Sequence, residues 1–361
     1  MSESHGPLPR VLAPLSWLAA SAYRVVIAAR NRRFDRGRGV RVLLIEGRRI
    51  PVISVGNLTV GGTGKSPCVA WICSELAANG CKPVIAMRGY RGVRTAEGVI
   101  DSDEAREYAI TAPEALVVVH RRRYEALVAQ LSKPECREWI DRAVVVLDDG
   151  FQHRQLARDL DIVLVDGSPM QELLPHGWLR EPASNIARAD LVVRTKASVN
   201  AVAGSGVPKH FDAQCDHTWT QFEVHDANGT RVEQLEWLRS RSVMTACGLG
   251  NPAHFEEMAG ATGARIIARM RVADHQAMRW SDLEAAGKDS GAQVIVMSRK
   301  DFVKLDATRE LAAALSRGFV IVVPRLALRF IDGEARVRAA ITAVTQLDPK
   351  LRDAGLRQSE S

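Results

Sequence analysis

The stretch ISVGNLTVGGTGKSP, residues 53–67, is the strongest indication of the fold, because it joins an apolar run to a predicted helix through four glycines. Glycines let successive backbone N–H groups point at phosphate oxygens, and a helix N-terminus adds the positive end of its dipole. In that geometry Lys65 reaches the β- and γ-phosphates of a nucleotide, and the Ser66 hydroxyl can ligate Mg²⁺. The strict motif has glycine where Thr59 stands, so a chance glycine-rich turn is the competing interpretation, which the flanking strand and helix disfavour. We expect the phosphates to be contacted by Gly56, Asn57, Thr59, Val60, Gly61, Gly62, Thr63, Gly64, Lys65 and Ser66.

Short runs rich in Val, Ile and Leu continue outward from this loop and alternate with helical stretches. Strands are predicted at 50–55, 82–87, 115–120, 143–147, 161–165 and 190–194. Near-continuous apolar strands separated by helices are typical of a parallel sheet covered on both faces. The sequence therefore predicts an α/β fold of the P-loop NTPase type.

The pattern changes after residue 205, where Asn228-Gly229 is a hairpin signal between two alternating runs. A second series of strands and helices then begins at residue 242, which predicts a second, smaller α/β/α domain. We place an N-terminal amphipathic basic helix at 1–38, the phosphate-binding domain at 39–225, the second domain with its linker hairpin at 226–345, and a loose tail at 346–361.

Two adjacent acids end the predicted strand at 143–147. Asp148 and Asp149 precede Gly150, at the sheet edge that also carries the phosphate loop. P-loop enzymes hold Mg²⁺ with an acid at this edge, so both aspartates are candidate metal and active-site residues. In a regular strand they would point to opposite sides, so only one would be a direct ligand. The alternative is an ordinary Asp-Asp-Gly turn.

The N-terminal segment combines apolar and basic residues. Residues 11–29 form an interrupted apolar stretch, followed at once by an arginine cluster. At helical spacing one face carries Leu15, Leu18, Ala22, Val25, Val26 and Ala29. This pattern predicts a helix lying in the headgroup region of a membrane, with its arginines near anionic lipid. A secretory cleavage site at 20–22 is disfavoured by the arginines beyond it, whereas a helix packed on the protein core stays open as an alternative.

The distribution of charge along the chain argues against one class of binding partner, nucleic acid. The formal net charge is +7, and residues 1–50 alone contain ten arginines and three acids, so the other 311 residues are balanced. A protein that coats nucleic acid would spread its basic surface over the binding domain, so we expect no nucleic-acid partner. The six cysteines form no C-x-x-C pair, which fits a reducing compartment.

Together these segments resemble one known family, tetraacyldisaccharide 4′-kinase, the lipid A 4′-kinase of Gram-negative bacteria. The resemblance rests on motifs in the family's order: VGNLTVGGTGKSP (55–67), MRGY (87–90), SDEA (102–105), HRRRYEAL (120–127), LDDGFQHRQLARDLDIVLVDG (147–167), LLPHGWLREP (173–182), CGLGNPAHF (247–255), ADHQ (273–276) and SRKDFVKL (298–305). It implies ATP with Mg²⁺ as phosphate donor and a lipid-linked glucosamine disaccharide 1-phosphate as acceptor. It also implies peripheral attachment to the cytoplasmic face of the inner membrane, with no obligate protein partner.

The resemblance also implies roles for single residues. Asp103 matches the family's catalytic base, assisted by His275, and Arg123 and Arg180 match cationic positions near the phosphates. A histidine beside a carboxylate can accept and pass on the proton of the attacking hydroxyl. From the residues alone, Asp103 can equally be interpreted as an acid in the first turn of a helix. His275 can equally be interpreted as a structural histidine.

Two other classes of protein share some of these features. A membrane-partitioning P-loop ATPase, acting through protein partners, also combines a GGTGKS loop with a membrane helix, but it carries a lysine where this chain has Val60. A membrane scaffold with a degenerate nucleotide site is disfavoured because Lys65, Ser66, Asp148 and Asp149 are all present.

Overall fold

The computed structural model describes residues 13–61, 63–89, 93–94, 100–167, 170, 172–197, 207–273, 276, 278–306 and 310–347. The chain divides into two compact units. Unit 1 draws on Met1–Asp101, Tyr108–Asp216 and Arg329–Ser361, and unit 2 on Ser102–Glu107 and His217–Leu328.

The elements alternate between strands and helices along most of the chain. The first part contains α1 (Ala13–Asp35), β1 (Leu44–Ile45), β2 (Arg48–Arg49), β3 (Val52–Gly56), α2 (Lys65–Ala78), β4 (Lys82–Met87), β5 (Val93–Arg94), β6 (Ile100–Asp101), α3 (Asp103–Thr111), β7 (Leu116–Val119), α4 (Arg123–Leu131), β8 (Ala143–Asp148), β9 (Leu160–Val165) and β10 (Leu191–Arg194). The second contains β11 (Ala213–Asp226), β12 (Gly229–Glu233), β13 (Ser242–Cys247), α5 (Pro252–Ala261), β14 (Arg265–Arg271), α6 (Trp280–Ser290), β15 (Val294–Met297), α7 (Arg299–Asp306), α8 (Glu310–Ser316), β16 (Val320–Asp332) and α9 (Glu334–Thr345).

The sheet of unit 1 runs β10-β9-β3-β8-β4-β7, and every pairing along it is parallel. Strands β3 and β9 are buried along their whole length, as expected for a parallel sheet with helices packed on it. All carboxyl ends meet at one edge, so the ends of β3 and β8 become neighbours, with Val55 opposite Asp148. The predicted parallel α/β architecture is confirmed.

Unit 2 has its own parallel strands in the order β14-β13-β15-β16. The predicted hairpin is present, since β11 and β12 pair antiparallel through a turn in which Asp226 lies opposite Gly229. One of its cores is aromatic, with Trp219 edge-on to both Phe222 and Phe255.

The division of the chain differs from the boundary predicted at 225/226. It falls at Asp216/His217, inside β11, and the chain returns to unit 1 inside β16, at Leu328/Arg329. Helix α9, which the sequence pattern assigned to the second domain, packs against α2 of unit 1. A composition change locates a turn between strands, but a boundary inside a continuous strand leaves no such change.

Helix α1 confirms the predicted N-terminal helix and separates its residues into two faces. On one side of the helix, Ala20, Ile27 and Phe34 are buried against unit 1. This side fits the alternative prediction of a helix that packs on the protein core. The predicted apolar face is exposed, and Leu15, Leu18, Val25 and Val26 are each at least 60% accessible. Within the described residues, no helix is long and apolar enough to cross a bilayer.

Candidate active site

The phosphate loop has the strand, loop and helix order that its sequence predicts. Strand β3 ends at Gly56 and α2 begins at Lys65, so Lys65 and Ser66 lie in the first turn of the helix. Gly61 has a φ of 132° and Gly64 a φ of 82°, a region that glycine occupies without the steric cost of a Cβ atom. Gly62, the remaining glycine of the loop, lies outside the described residues.

The phosphate loop is held in place by hydrogen bonds to side chains and to neighbouring backbone. The fully buried Asn57 accepts a hydrogen bond from Lys65 Nζ at 3.0 Å, and its backbone carbonyl accepts one from Gln152 Nε2 at 2.9 Å. The Val60 N–H donates to the Trp178 carbonyl at 2.8 Å. These three hydrogen bonds pair loop groups with other atoms of unit 1 and hold the loop in a preorganised shape.

The two adjacent aspartates do not continue as a strand. Strand β8 ends at Asp148, and Asp149 has a φ of 52°, in the left-handed region that non-glycine residues occupy rarely. The two carboxylates therefore lie in different surroundings. A strained backbone position of this kind is common at functional sites and persists only where its surroundings hold it.

Asp149 is the point where three cationic side chains meet. The Arg180 guanidinium donates to both carboxylate oxygens at 2.8 and 2.6 Å, and Lys65 Nζ lies 3.4 Å from Oδ1. Arg123, buried at the start of α4, donates to the Asp149 backbone carbonyl at 3.2 Å. Burial raises the pKa of Asp149, but Lys65 and Arg180 outweigh it and hold the pKa below its usual value.

Asp148 differs from Asp149 in its contacts and in the direction in which its pKa is shifted. Its Oδ1 atom is buried and accepts no hydrogen bond of ordinary geometry from the described residues, although the Tyr108 side chain lies near enough to favour the charged form of the carboxyl group. Burial raises the pKa of its carboxyl group, while Lys65 opposes that shift. An unpaired buried carboxylate oxygen is costly unless a cation or proton satisfies it. This oxygen is therefore the best candidate metal ligand at the sheet edge.

The loop around Arg180 is attached to the phosphate loop by backbone hydrogen bonds. Arg180 donates its N–H to the Leu58 carbonyl at 2.8 Å, and Thr59 forms an antiparallel bridge with Leu179. Sequence reasoning found Arg180 only through the family resemblance, and it missed Gln152, which contacts both Arg180 and Asn57. The sequence feature that could have identified Gln152 is its place in the segment LDDGFQ, three residues after Asp149.

The two residues assigned to proton transfer are placed differently. Asp103 is the first residue of α3, is half-buried, and belongs to the segment Ser102–Glu107 that clusters with unit 2. His275 lies outside the described residues. The structure thus brings Lys65, Asp149, Arg180 and Arg123 together within unit 1, and the role of Asp103 stays a prediction.

This arrangement suits the transfer of a phosphoryl group. Three cations at the end of a glycine-rich loop can neutralise phosphate oxygens, and a fixed loop can orient them for in-line attack. The described residues group no three histidine, cysteine or acidic side chains into a metal cage, so a cation would also need oxygens from phosphate and water.

Comparison with known proteins gives one consistent result. The family model for tetraacyldisaccharide-1-P 4′-kinase (LpxK) matches residues 8–346. A tetraacyldisaccharide 4′-kinase of Anaeromyxobacter sp. (strain K) is 34% identical over 372 residues, covering 97% of this chain and 96% of the relative. That of Pelodictyon phaeoclathratiforme is 31% identical over 332 residues, covering 85% and 90%. A crystal structure of "apo" form LpxK from Aquifex aeolicus in complex with ATP superposes with a TM-score of 0.67 at 26% identity, covering 93% of this chain and 98% of that one.

Proposed function

The chain belongs to the tetraacyldisaccharide 4′-kinase family, and we propose from that premise how its residues perform the reaction. It is an ATP-dependent lipid kinase that transfers the γ-phosphoryl group to the 4′-hydroxyl of a tetraacyldisaccharide 1-phosphate. The product is the 1,4′-bisphosphate of lipid A biosynthesis, and ADP is released. The observation that carries the proposal is the convergence of Lys65 and Arg180 on Asp149 at the end of the phosphate loop. A partitioning ATPase is not favoured, because the relatives are kinases and Val60 replaces its signature lysine.

Lys65, Arg123 and Arg180 supply the positive charge that the transferring phosphoryl group needs. Lys65 emerges from the first turn of α2, where the helix dipole also favours an anion. Before ATP binds, Asp149 holds the Lys65 ammonium and the Arg180 guanidinium near each other. Two like charges close together repel, so this carboxylate keeps the site assembled at a modest cost.

Asp103 and His275 are proposed to accept the proton of the 4′-hydroxyl as its oxygen attacks phosphorus. A carboxylate next to a histidine can take the proton and pass it to water. The support for this role is the match of both residues to the family's motifs, SDEA and ADHQ.

We assign Mg²⁺ to Asp148 and Ser66. The unpaired Oδ1 atom of Asp148 needs a cationic partner, and Ser66 lies in the first turn of α2, where P-loop enzymes place a metal-binding hydroxyl. Both oxygens of Asp149 already accept from Arg180, so we assign Asp149 to holding the cations rather than to direct ligation. Bound by Asp148 and Ser66, Mg²⁺ would supply positive charge that offsets the negative charge of the phosphate oxygens.

The decisive test is an assay with labelled ATP and purified tetraacyldisaccharide 1-phosphate in detergent micelles. We expect label in the bisphosphate product, and little ATP hydrolysis in a lipid-free control. Lys65→Ala should reduce transfer by about 10²-fold or more, because it removes a charge present at the transition state. Hydrolysis that is equally fast without lipid, with no labelled lipid formed, would contradict the kinase assignment.

We propose that the exposed face of α1 attaches the enzyme to the cytoplasmic face of the inner membrane, where a lipid acceptor is presented. The support is the row of exposed apolar side chains that includes Leu18, Val25 and Val26, with Arg24, Arg32 and Arg33 exposed on the same helix. Interfacial binding of this kind combines apolar burial with attraction to anionic lipid.

The membrane proposal is tested by flotation with vesicles of phosphatidylethanolamine and phosphatidylglycerol. Replacing Leu18, Val25 and Val26 together by serine should lower the vesicle-bound fraction several-fold, because each side chain contributes about 1.5 kcal/mol or more when buried. The matched control is Ser21→Ala, an exposed change on the same helix, where the Ser21 hydroxyl donates to the Trp17 carbonyl. Equal flotation of the triple variant and the wild type would remove α1 as the attachment site.

A further inference from the structure

The buried side of α1 contacts the main chain of two residues that border the charge cluster. Tyr23 donates its hydroxyl hydrogen to the Arg180 carbonyl at 2.9 Å. Arg30 donates from its guanidinium to the Gln152 carbonyl at 2.5 Å. Burial and the charge of Glu181 raise the pKa of Tyr23, so the hydroxyl keeps the hydrogen that it donates.

The side chains of these same two residues build the active site. Arg180 binds both carboxylate oxygens of Asp149 and reaches Gln152 Oε1 at 3.4 Å. Gln152 Nε2 in turn holds the Asn57 carbonyl, and Asn57 accepts from Lys65. A series of hydrogen-bonded residues therefore connects α1, through Gln152 and Asn57, with Lys65 of the phosphate loop.

Helix α1 is held in place at both ends, so it can fix the position of the backbone that it contacts. Near its start Ser16 shares a hydrogen bond with His176 at 2.9 Å, and near its end Asn31 donates to the fully buried Glu181 at 3.0 Å. Arg154 donates to the Asn31 carbonyl at 3.2 Å. Contacts at both ends, with Ile27 buried between them, make α1 a rigid part of unit 1 rather than a loose arm.

We infer that Tyr23 and Arg30 are positioning residues for phosphoryl transfer. They hold the backbone at Arg180 and Gln152, so that the Arg180 guanidinium stays on Asp149 and Lys65 stays in the phosphate loop. The inference rests on the proposed kinase function. It makes α1 part of the catalytic geometry as well as the proposed membrane surface, whereas a passive anchor would affect only the access of the enzyme to its acceptor.

The experiment uses full-length Tyr23→Phe, Arg30→Met and Arg30→Lys in detergent micelles with saturating acceptor, where access to lipid does not limit the rate. We expect kcat to fall about 10-fold for Tyr23→Phe and Arg30→Met, because small displacements of catalytic groups are costly, while the KM for ATP changes less than about twofold. Arg30→Lys keeps a donor and should recover part of the loss. Ser21→Ala, on the exposed side of the same helix, should match the wild type.

A double variant separates positioning from general stability. If Tyr23 acts through Arg180, then Tyr23→Phe should cost little further kcat in an Arg180→Ala background, since the effects of residues that act as one unit are not additive. Thermal unfolding is measured for every variant, and vesicle flotation should be unchanged by Tyr23→Phe. Equal kcat for wild type, Tyr23→Phe and Arg30→Met would overturn the inference, as would a full loss of the same size in the Arg180→Ala background. An inactive wild type would instead contradict the proposed function.

Discussion

Asp149 shows how one residue can organise a site through its backbone and its side chain together. Its left-handed φ of 52° ends strand β8, and its carboxylate receives Arg180 and Lys65 while its carbonyl receives Arg123. The neighbouring Asp148 ends the regular strand and has one carboxylate oxygen without a hydrogen-bond partner in the part of the chain that the structure describes. Two identical side chains in sequence therefore acquire different tasks from their surroundings.

At the residue scale, the clearest open assignment is the base. Asp103→Ala should lower kcat by about 10²-fold or more if this carboxylate takes the proton of the acceptor hydroxyl, whereas the Kd for ATP should change little. Turnover under saturating ATP and nucleotide binding by fluorescence measure the two effects. Glu104→Ala, the next residue in the same turn, is the matched control. Unchanged turnover in Asp103→Ala would move the base to another residue.

At the level of secondary-structure elements, one close contact joins β3 to the loop after β8. A Cβ atom at Gly56 would lie 2.6 Å from the Phe151 Cβ atom and 2.7 Å from its backbone nitrogen. Only glycine allows the end of β3 to approach this loop so closely, and that approach brings the phosphate loop beside the two aspartates.

Gly56→Ala should therefore destabilise the fold by about 1–3 kcal/mol, since backbone cannot move aside as a flexible side chain can. Urea unfolding measures this change. Gly250→Ala is the control, because among the described residues no atom beyond its two chain neighbours lies within 4 Å of an added Cβ and its φ is not positive, so its effect should stay within about 0.5 kcal/mol. Equal stability of both variants would show that the backbone at Gly56 can relax.

Helix α1 corrects the simplest interpretation of the basic N-terminus. Its apolar face is exposed as its periodicity predicts, but Arg30 turns inward to the Gln152 carbonyl. Beyond the helix, Arg41, Arg48 and Arg49 pair with Glu125, Asp141 and Asp159 of unit 1. Four of the ten arginines thus serve contacts within the protein, and the charge available to a membrane is smaller than the sequence suggests.

At the scale of the whole molecule, stability should depend on pH through a half-buried histidine, His153. Burial, with Arg123 and Arg158 nearby, lowers the pKa of His153 from 6.5 to about 4. Between these values the unfolded chain binds a proton that the folded protein excludes, so the free energy of unfolding falls as the pH drops from about 6.5 to about 4. The full effect is about 3 kcal/mol at most.

Urea unfolding at pH 7.5 and pH 5 measures this dependence. His153→Gln keeps a polar side chain of similar size without the titration, so its stability should fall by about 2 kcal/mol less between these two pH values than that of the wild type. Parallel pH curves for the two proteins would show that His153 is not the group responsible.

The amino-acid sequence alone was enough to predict the parallel α/β architecture, the phosphate loop and the paired aspartates. Local patterns carry this information, because the period of apolar residues and the spacing of glycines act over a few neighbouring positions. The same local signals placed most strands within a few residues, for example β4 at Lys82–Met87.

The folded structure was needed to show which unit each segment joins and which partner each charged side chain contacts. Asp103 clusters with unit 2, α9 packs against α2, and Tyr23 bonds to the carbonyl of Arg180, which lies 157 positions away along the chain. Such contacts depend on how distant segments pack, and no local period encodes them. Lys65 was predictable because its role follows from its own loop, whereas Gln152 and Tyr23 acquire theirs from residues that become their neighbours on folding.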